Sequence, residues 1–231
     1  MPAIRFPSTR RTWWAAWTVL AVSAAGFALY GAPAYLTGDR ALSRIPLNPE
    51  IVLHYLYLVS HALPASLILL LGPLQFVPAL RNKYPRLHRV VGRVYMINVL
   101  IASVAAVLAA TFTVSGFPVQ VAFYLLTAAW LYSLAQAYLA IRRRQIQVHR
   151  VWMIRNYALS FAAVVLRVFL LLGLAVRSRY DWLTFDDIYT SSVWASILVS
   201  AGVGEWFIVQ RVLRPRARRK PEPAVAAASP S

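Results

Sequence analysis

The chain has no cysteine, only seven acidic residues, and only 13% charged residues among its 231 positions. Without thiols it has no disulfide, iron–sulfur cluster, zinc–thiolate site or covalent c-type haem. The shortage of charge is equally restrictive. Soluble domains are about 25% charged and about 45–50% apolar, whereas this sequence is 60% hydrophobic and has too little polar surface to remain in water. It also lacks a phosphate-binding glycine loop and a Ser-His-Asp arrangement.

What is plentiful is arginine. Twenty-four Lys and Arg against seven acids give a net charge of +17, a balance that could suggest nucleic acid. The charges, however, alternate with long apolar runs, which excludes that partner and points to a bilayer. A hydrocarbon core about 30 Å thick requires roughly 20 apolar residues in helix. Six segments satisfy this: Trp13–Tyr35, Ile51–Leu80, Val90–Thr113, Pro118–Ile141, Val151–Val176 and Tyr189–Leu213. Their continuity excludes a transmembrane barrel, whose strands alternate with period two. The expected fold is all-α, a polytopic bundle of six spans with spans two to five as a four-helix core over 51–176.

Arg5, Arg10 and Arg11 before the first span, with Ala32-Pro33-Ala34 near its end, also match a signal peptide. Its apolar region exceeds the usual 7–15 residues, so it reads as a retained helix. Nineteen of the 24 basic residues fall at one end of the spans, and five of the seven acids (Asp39, Glu50, Asp181, Asp186, Asp187) at the other. The positive-inside rule then places both termini in the cytoplasm of a bacterial inner-membrane protein. Residues 1–12 form a cytoplasmic segment, 13–213 the membrane domain, and 214–231 a basic, then disordered, cytoplasmic tail. The run Arg211–Lys220 is suited to anionic lipid head groups.

Ionisable groups within spans are expensive and face protein or a cavity. His54, His61, Ile68 and Gln75 recur every seven residues, so they share one face of the second span. On the fifth, His149, Met153, Asn156, Ser160, Ala163 and Arg167 form another stripe. Gly92, Tyr95, Ala102, Ala106 and Ala109 give the third a small-residue face. These three faces should point at one another. At about 1.5 Å per residue, His61 lies about 15 Å and Arg167 about 13 Å below the same surface, so both belong near the midplane. Glu205 lies nearer the arginine-rich end, where Arg155 or Arg93 is the expected partner.

The third and fifth spans open alike: His88-Arg89, with Arg93 and Tyr95, and His149-Arg150, with Arg155 and Tyr157. His61, Gly72-Pro73-Leu74-Gln75, Leu87-His88-Arg89, Gly92-Arg93-Val94-Tyr95, Trp130, His149-Arg150-Val151-Trp152-Met153-Ile154-Arg155 and Leu166-Arg167 resemble a bacterial family of predicted membrane proteins, domain-of-unknown-function family twenty-three-oh-six. The resemblance runs from about His61 to Gly173 and brings no established activity. A looser similarity, at the level of fold, is to four-helix haem-b membrane cytochromes.

Three functions follow as expectations. In the first, His88 and His149 are axial ligands of one b-type haem, with Arg89, Arg93, Arg150 and Arg155 on its propionates. In the second, a cofactor-free transporter or binding protein holds a small anionic or quinone-like ligand at a midplane site. His61 and Arg167 form that site, with Gln75 and Asn156 along a route to the cytoplasm. The third is a scaffold or assembly factor for a membrane complex. An outer metal site on His54 with Glu50 or Asp39 is a further arrangement the sequence allows.

Overall fold

A computed structural model describes residues 10–180 and 182–208. Among these residues there is no strand. The helices are α1 (Arg10–Leu36), α2 (His54–Gln75), α3 (Pro78–Lys83), α4 (Pro85–Thr111), α5 (Phe117–Arg142), α6 (Ile146–Arg177) and α7 (Phe185–Ile208). All but α3 are long and apolar enough to cross a membrane. The expectations for Arg5, Asp181, the run Arg211–Lys220 and the tail lie outside the described residues.

Several boundaries differ from the sequence reading, each for a local reason. The second span stops at Gln75 instead of Leu80, because the chain turns at Val77 and restarts with Pro78 at the head of α3. Pro85 likewise opens α4, five residues before the expected start, so His88 is helical rather than interfacial loop. Proline suits a first helical position because the N–H it lacks has no partner there anyway. At α7 the start moves back to Phe185. Thr184 and Asp187 form a reciprocal cap, with the Asp187 carboxylate accepting from the Thr184 amide at 3.2 Å and the Thr184 hydroxyl accepting from the Asp187 amide at 3.2 Å. Between α5 and α6, Arg144 takes a left-handed φ of 60° and the Gln145 amide bonds back to the Ala140 carbonyl at 2.9 Å. That reversal makes the two helices an antiparallel hairpin.

Consecutive spans pack side by side in chain order, and α6 reaches across to α1 and α2 as well. One core cluster joins α2, α4, α5 and α6 through Ile68, Tyr95, Val99, Ala102, Trp130, Leu134 and Tyr157. This is the expected four-helix core. The sixth span is more than a flank, however. Along α7, Ser192, Val193, Ser196, Ser200 and Gly204 are buried, and Val193 packs with Val119, Ala122 and Leu166 of α5 and α6. Small residues let it approach closely: a Cβ on Gly204 would lie 2.8 Å from that of Ala158, and one on Gly173 only 2.4 Å from Ile188 Cγ2.

Gly72 and Pro73 have a joint explanation. A Cβ at Gly72 would fall inside the Tyr157 ring, so only glycine lets that ring lie against α2. Pro73 has no N–H, which leaves the Leu69 carbonyl without its helical donor. The Tyr157 hydroxyl donates to that carbonyl at 3.1 Å. Trp17 of α1 donates to the Pro73 carbonyl at 2.9 Å.

Candidate functional site

The α6 stripe faces inward as its spacing predicts, and it divides into two parts. Toward the arginine-rich end lies a closed hydrogen-bond network. Tyr95 of α4 donates to Asn156 Oδ1 at 2.8 Å, and Asn156 Nδ2 donates to the Trp130 carbonyl and Ser133 Oγ, both at 2.9 Å. Trp130 Nε1 donates to Ser160 Oγ at 2.8 Å, and Ser160 in turn donates to the Asn156 carbonyl at 3.0 Å. Asn156 is completely buried with its amide fully engaged. Such a network is stable because no polar atom is orphaned.

Beyond Ser160 the packing opens into a cavity of about 240 Å³. Ser160 and Trp130 form its floor, small residues of α2, α4 and α6 (among them Ala65, Ala106 and Ala163) its walls, and His61, Arg167 and Tyr189 its polar points. His61 Nδ1 is 2.9 Å from the Ala102 carbonyl. A carbonyl only accepts, so Nδ1 carries a proton and donates. Arg167 lies over the Phe27 ring, its guanidinium carbon 5.8 Å from the centroid. Among the described residues it has no hydrogen bond and no ion pair. Arg44, from the α1–α2 connection, also lines the cavity and stacks 4.5 Å over Tyr30. Among the described residues, no carboxylate lines this space.

The sequence candidates divide between this cavity and other places. His61 and Arg167 share the cavity, although no hydrogen bond joins them. Asn156 is sealed below it and Gln75 does not line it, so the expected polar route through those two residues is absent as drawn. Gln75 instead lies against Gly92, with its Nε2 buried and unpartnered. His54 also lines the cavity, with its Nδ1 held by the Asn48 amide, from which it accepts at 2.8 Å. No group of three metal-ligating side chains, at His54 or elsewhere, occurs among the described residues.

His88 and His149 lie near enough to interact electrostatically, but neither lines the cavity. His149 Nδ1 donates to the Ala137 carbonyl of α5 at 2.8 Å, while His88 Nδ1 is buried without a partner. Of the four arginines expected on haem propionates, Arg89, Arg93 and Arg150 are exposed. Arg155 is engaged by Glu205 through two contacts, 2.5 and 3.0 Å, and stacks 4.5 Å over Trp152. The Glu205 pairing is the one expected with Arg155, and Arg93 takes no part in it.

Sequence reasoning missed Phe27, Tyr30, Tyr189 and Arg44. A signal for α1 was present: Ala24, Ala28 and Gly31 recur at helical spacing, and Ala24 and Ala28 are buried against Leu69 and Val164. Nothing in the sequence marked Arg44, which is far from Tyr30 until the connection folds back.

Residues 58–208 match the model of a family described as predicted membrane protein (DUF2306). The match covers more than half of the chain, which therefore belongs to that family, and it includes α7 as well as the four-helix core. No curated protein and no solved structure matches the chain.

Proposed function

We propose that this membrane protein binds a small ligand with an anionic or carbonyl-bearing, quinone-like head in the cavity beyond Ser160, without a prosthetic group. One observation carries the reading: Arg167 points a guanidinium into a space that, among the described residues, has no acid, deep in a span. Placing an arginine there costs at least about 2.5–3.5 kcal/mol, and its donors suit a carboxylate, phosphate or carbonyl oxygen. His61 supports the same reading. With Nδ1–H held by Ala102, its Nε2 is left with a lone pair for a ligand donor. The orientation that goes with this reading is cytoplasmic termini in a bacterial inner membrane, with the basic ends of the spans on anionic head groups.

A haem reading on His88 and His149 has less behind it. Their proximity and the His149–Ala137 bond favour it, while the exposed arginines and the engaged Arg155 do not. A scaffold role has no site of its own to test.

The test is thermal stability of the detergent-purified protein titrated with octanoate and, separately, a short-chain benzoquinone. Saturable stabilisation by either probe, lost in Arg167→Gln with the fold retained, is expected. A wild-type protein stabilised by neither rejects the reading. An absorption spectrum of the same preparation decides haem, since a Soret band lost in His88→Ala and His149→Ala would replace this proposal.

A further inference from the structure

Given that the cavity binds an anionic or carbonyl head, its walls indicate where the ligand comes from. We infer that it enters sideways from the bilayer, between α1 and α7, and is a single-chain amphiphile with an acidic head rather than a water-soluble metabolite.

The water-facing end is roofed. The connection between α1 and α2 is tied down by Arg40 Nη2 donating to the Val52 carbonyl at 3.1 Å and Asn48 Nδ2 donating to the Phe112 carbonyl at 3.3 Å. Beneath it, Ile45 packs with Tyr35, Leu58 and Ala109. The floor is the Asn156 network. Two walls are the packed pairs α2 with α4 and α5 with α6.

The remaining side is different. Phe27, Tyr30 and Gly31 of α1 and Tyr189, Val193 and Ile197 of α7 line the cavity, yet α1 packs chiefly on α2 and α6, with no extended seam along α7. Tyr30 lines the cavity while remaining 60% exposed, so it stands at the mouth. Beside it, a Cβ built on Gly31 meets no atom within 4 Å.

Depth identifies what lies outside this mouth. Gly31 is about 8 Å below the Leu36 end of α1, and Phe27, under Arg167, about 13 Å below it. A 27-residue helix is about 40 Å long against a hydrocarbon core of about 30 Å. The mouth therefore opens near the boundary of head groups and acyl chains, where amphiphiles rest. Charge and size agree with this. Arg44 at the mouth and Arg167 within are two cations with no acid beside them among the described residues, a match for an anionic head passing from one to the other. A volume of 240 Å³ falls short of the roughly 300–1,000 Å³ of pockets that enclose whole drug-sized ligands. It holds a head and the first carbons, with the chain left in lipid.

The experiment uses the full chain in liposomes with a diazirine-bearing palmitate, labelled by light and mapped by mass spectrometry. Labelling is expected on Phe27–Gly31 and Tyr189–Ile197, reduced at least about tenfold by excess oleate and not by acetate or inorganic phosphate. Gly31→Trp, which fills the mouth, and Arg167→Gln should each reduce it by a similar factor. Gly26→Trp, the same change at an exposed α1 glycine that does not line the cavity, should not. Gly31→Leu serves if the tryptophan variant misfolds. Labelling of these segments that survives both Gly31 variants, or that acetate or phosphate displaces, overturns entry from the bilayer. In that case an Arg167-dependent signal still upholds the binding site. A signal indifferent to Arg167→Gln overturns the binding reading as well.

Discussion

Asn156 and Arg167 lie on one stripe of α6, three turns apart, and are treated in opposite ways. Around Asn156, three helices bring every donor an acceptor, and the side chain is completely buried. Around Arg167 the helices draw apart to form the cavity, and a permanent cation faces an aromatic ring and, among the described residues, no acid. A membrane interior penalises both residue types, so the contrast reports their purposes. The sealed group stabilises the bundle, whereas the open one is tolerated at a cost to stability, as functional groups often are.

If that division is right, the largest losses of stability should come from the sealed half. Gly72→Ala places a methyl inside the Tyr157 ring, and moving the ring also removes the donor to the Leu69 carbonyl. Overpacking typically costs about 1–3 kcal/mol, and the lost bond should carry this variant to the upper end. Thermal unfolding in detergent would show it. A variant as stable as wild type would mean that α2 and α6 are not in contact here. Asn156→Leu comes next. It removes three hydrogen bonds at once, and at about 0.6 kcal/mol each within a membrane a loss of about 2 kcal/mol is expected. Probe binding by the folded fraction should hardly change, whereas an equal loss of binding and stability would erase the distinction between the two regions.

How far the sequence could anticipate this contrast depends on what kind of information each half uses. The spans, the inward stripe of α6 and the small-residue face of α4 follow from period and hydropathy, which are local properties. The Arg155–Glu205 pair followed from depth along two helices, again a one-dimensional argument. The Asn156 network could not be foreseen, because it depends on Trp130 of α5 presenting a carbonyl and an indole N–H at one height. Asn156 therefore looked like part of a polar path. Arg44 escaped notice because its place is set by a folded connection rather than by periodicity. The haem constellation rested on two histidines at equal depth. Equal depth says nothing about whether a slot lies between them, and one of the four arginines meant for its propionates, Arg155, had a nearer acid.

The open half should respond with the opposite sign. Arg167→Leu replaces an unpaired cation by an apolar side chain in a cavity wall. Stability should rise, by about 2.5–3.5 kcal/mol if the full insertion penalty of arginine applies and by less where water in the cavity relieves it. Octanoate should no longer stabilise the protein. A fall in melting temperature on this substitution would show that Arg167 has a structural partner and belongs with Asn156 after all.

The smallest effect is expected at the mouth. A methyl on Gly31 meets nothing within 4 Å, so Gly31→Ala encounters no steric penalty. Alanine is favoured over glycine in a helix by up to about 1 kcal/mol. The variant should therefore be as stable as wild type or slightly more so, and should be labelled by the diazirine lipid to the same extent. Set beside Gly72→Ala, the identical chemical change at a sealed contact, it isolates the geometry. Two glycines that fail alike would mean that α1 and α7 are closed against each other, with the mouth occupied by protein. A clear separation between them is the signature of one packed face and one face open to lipid.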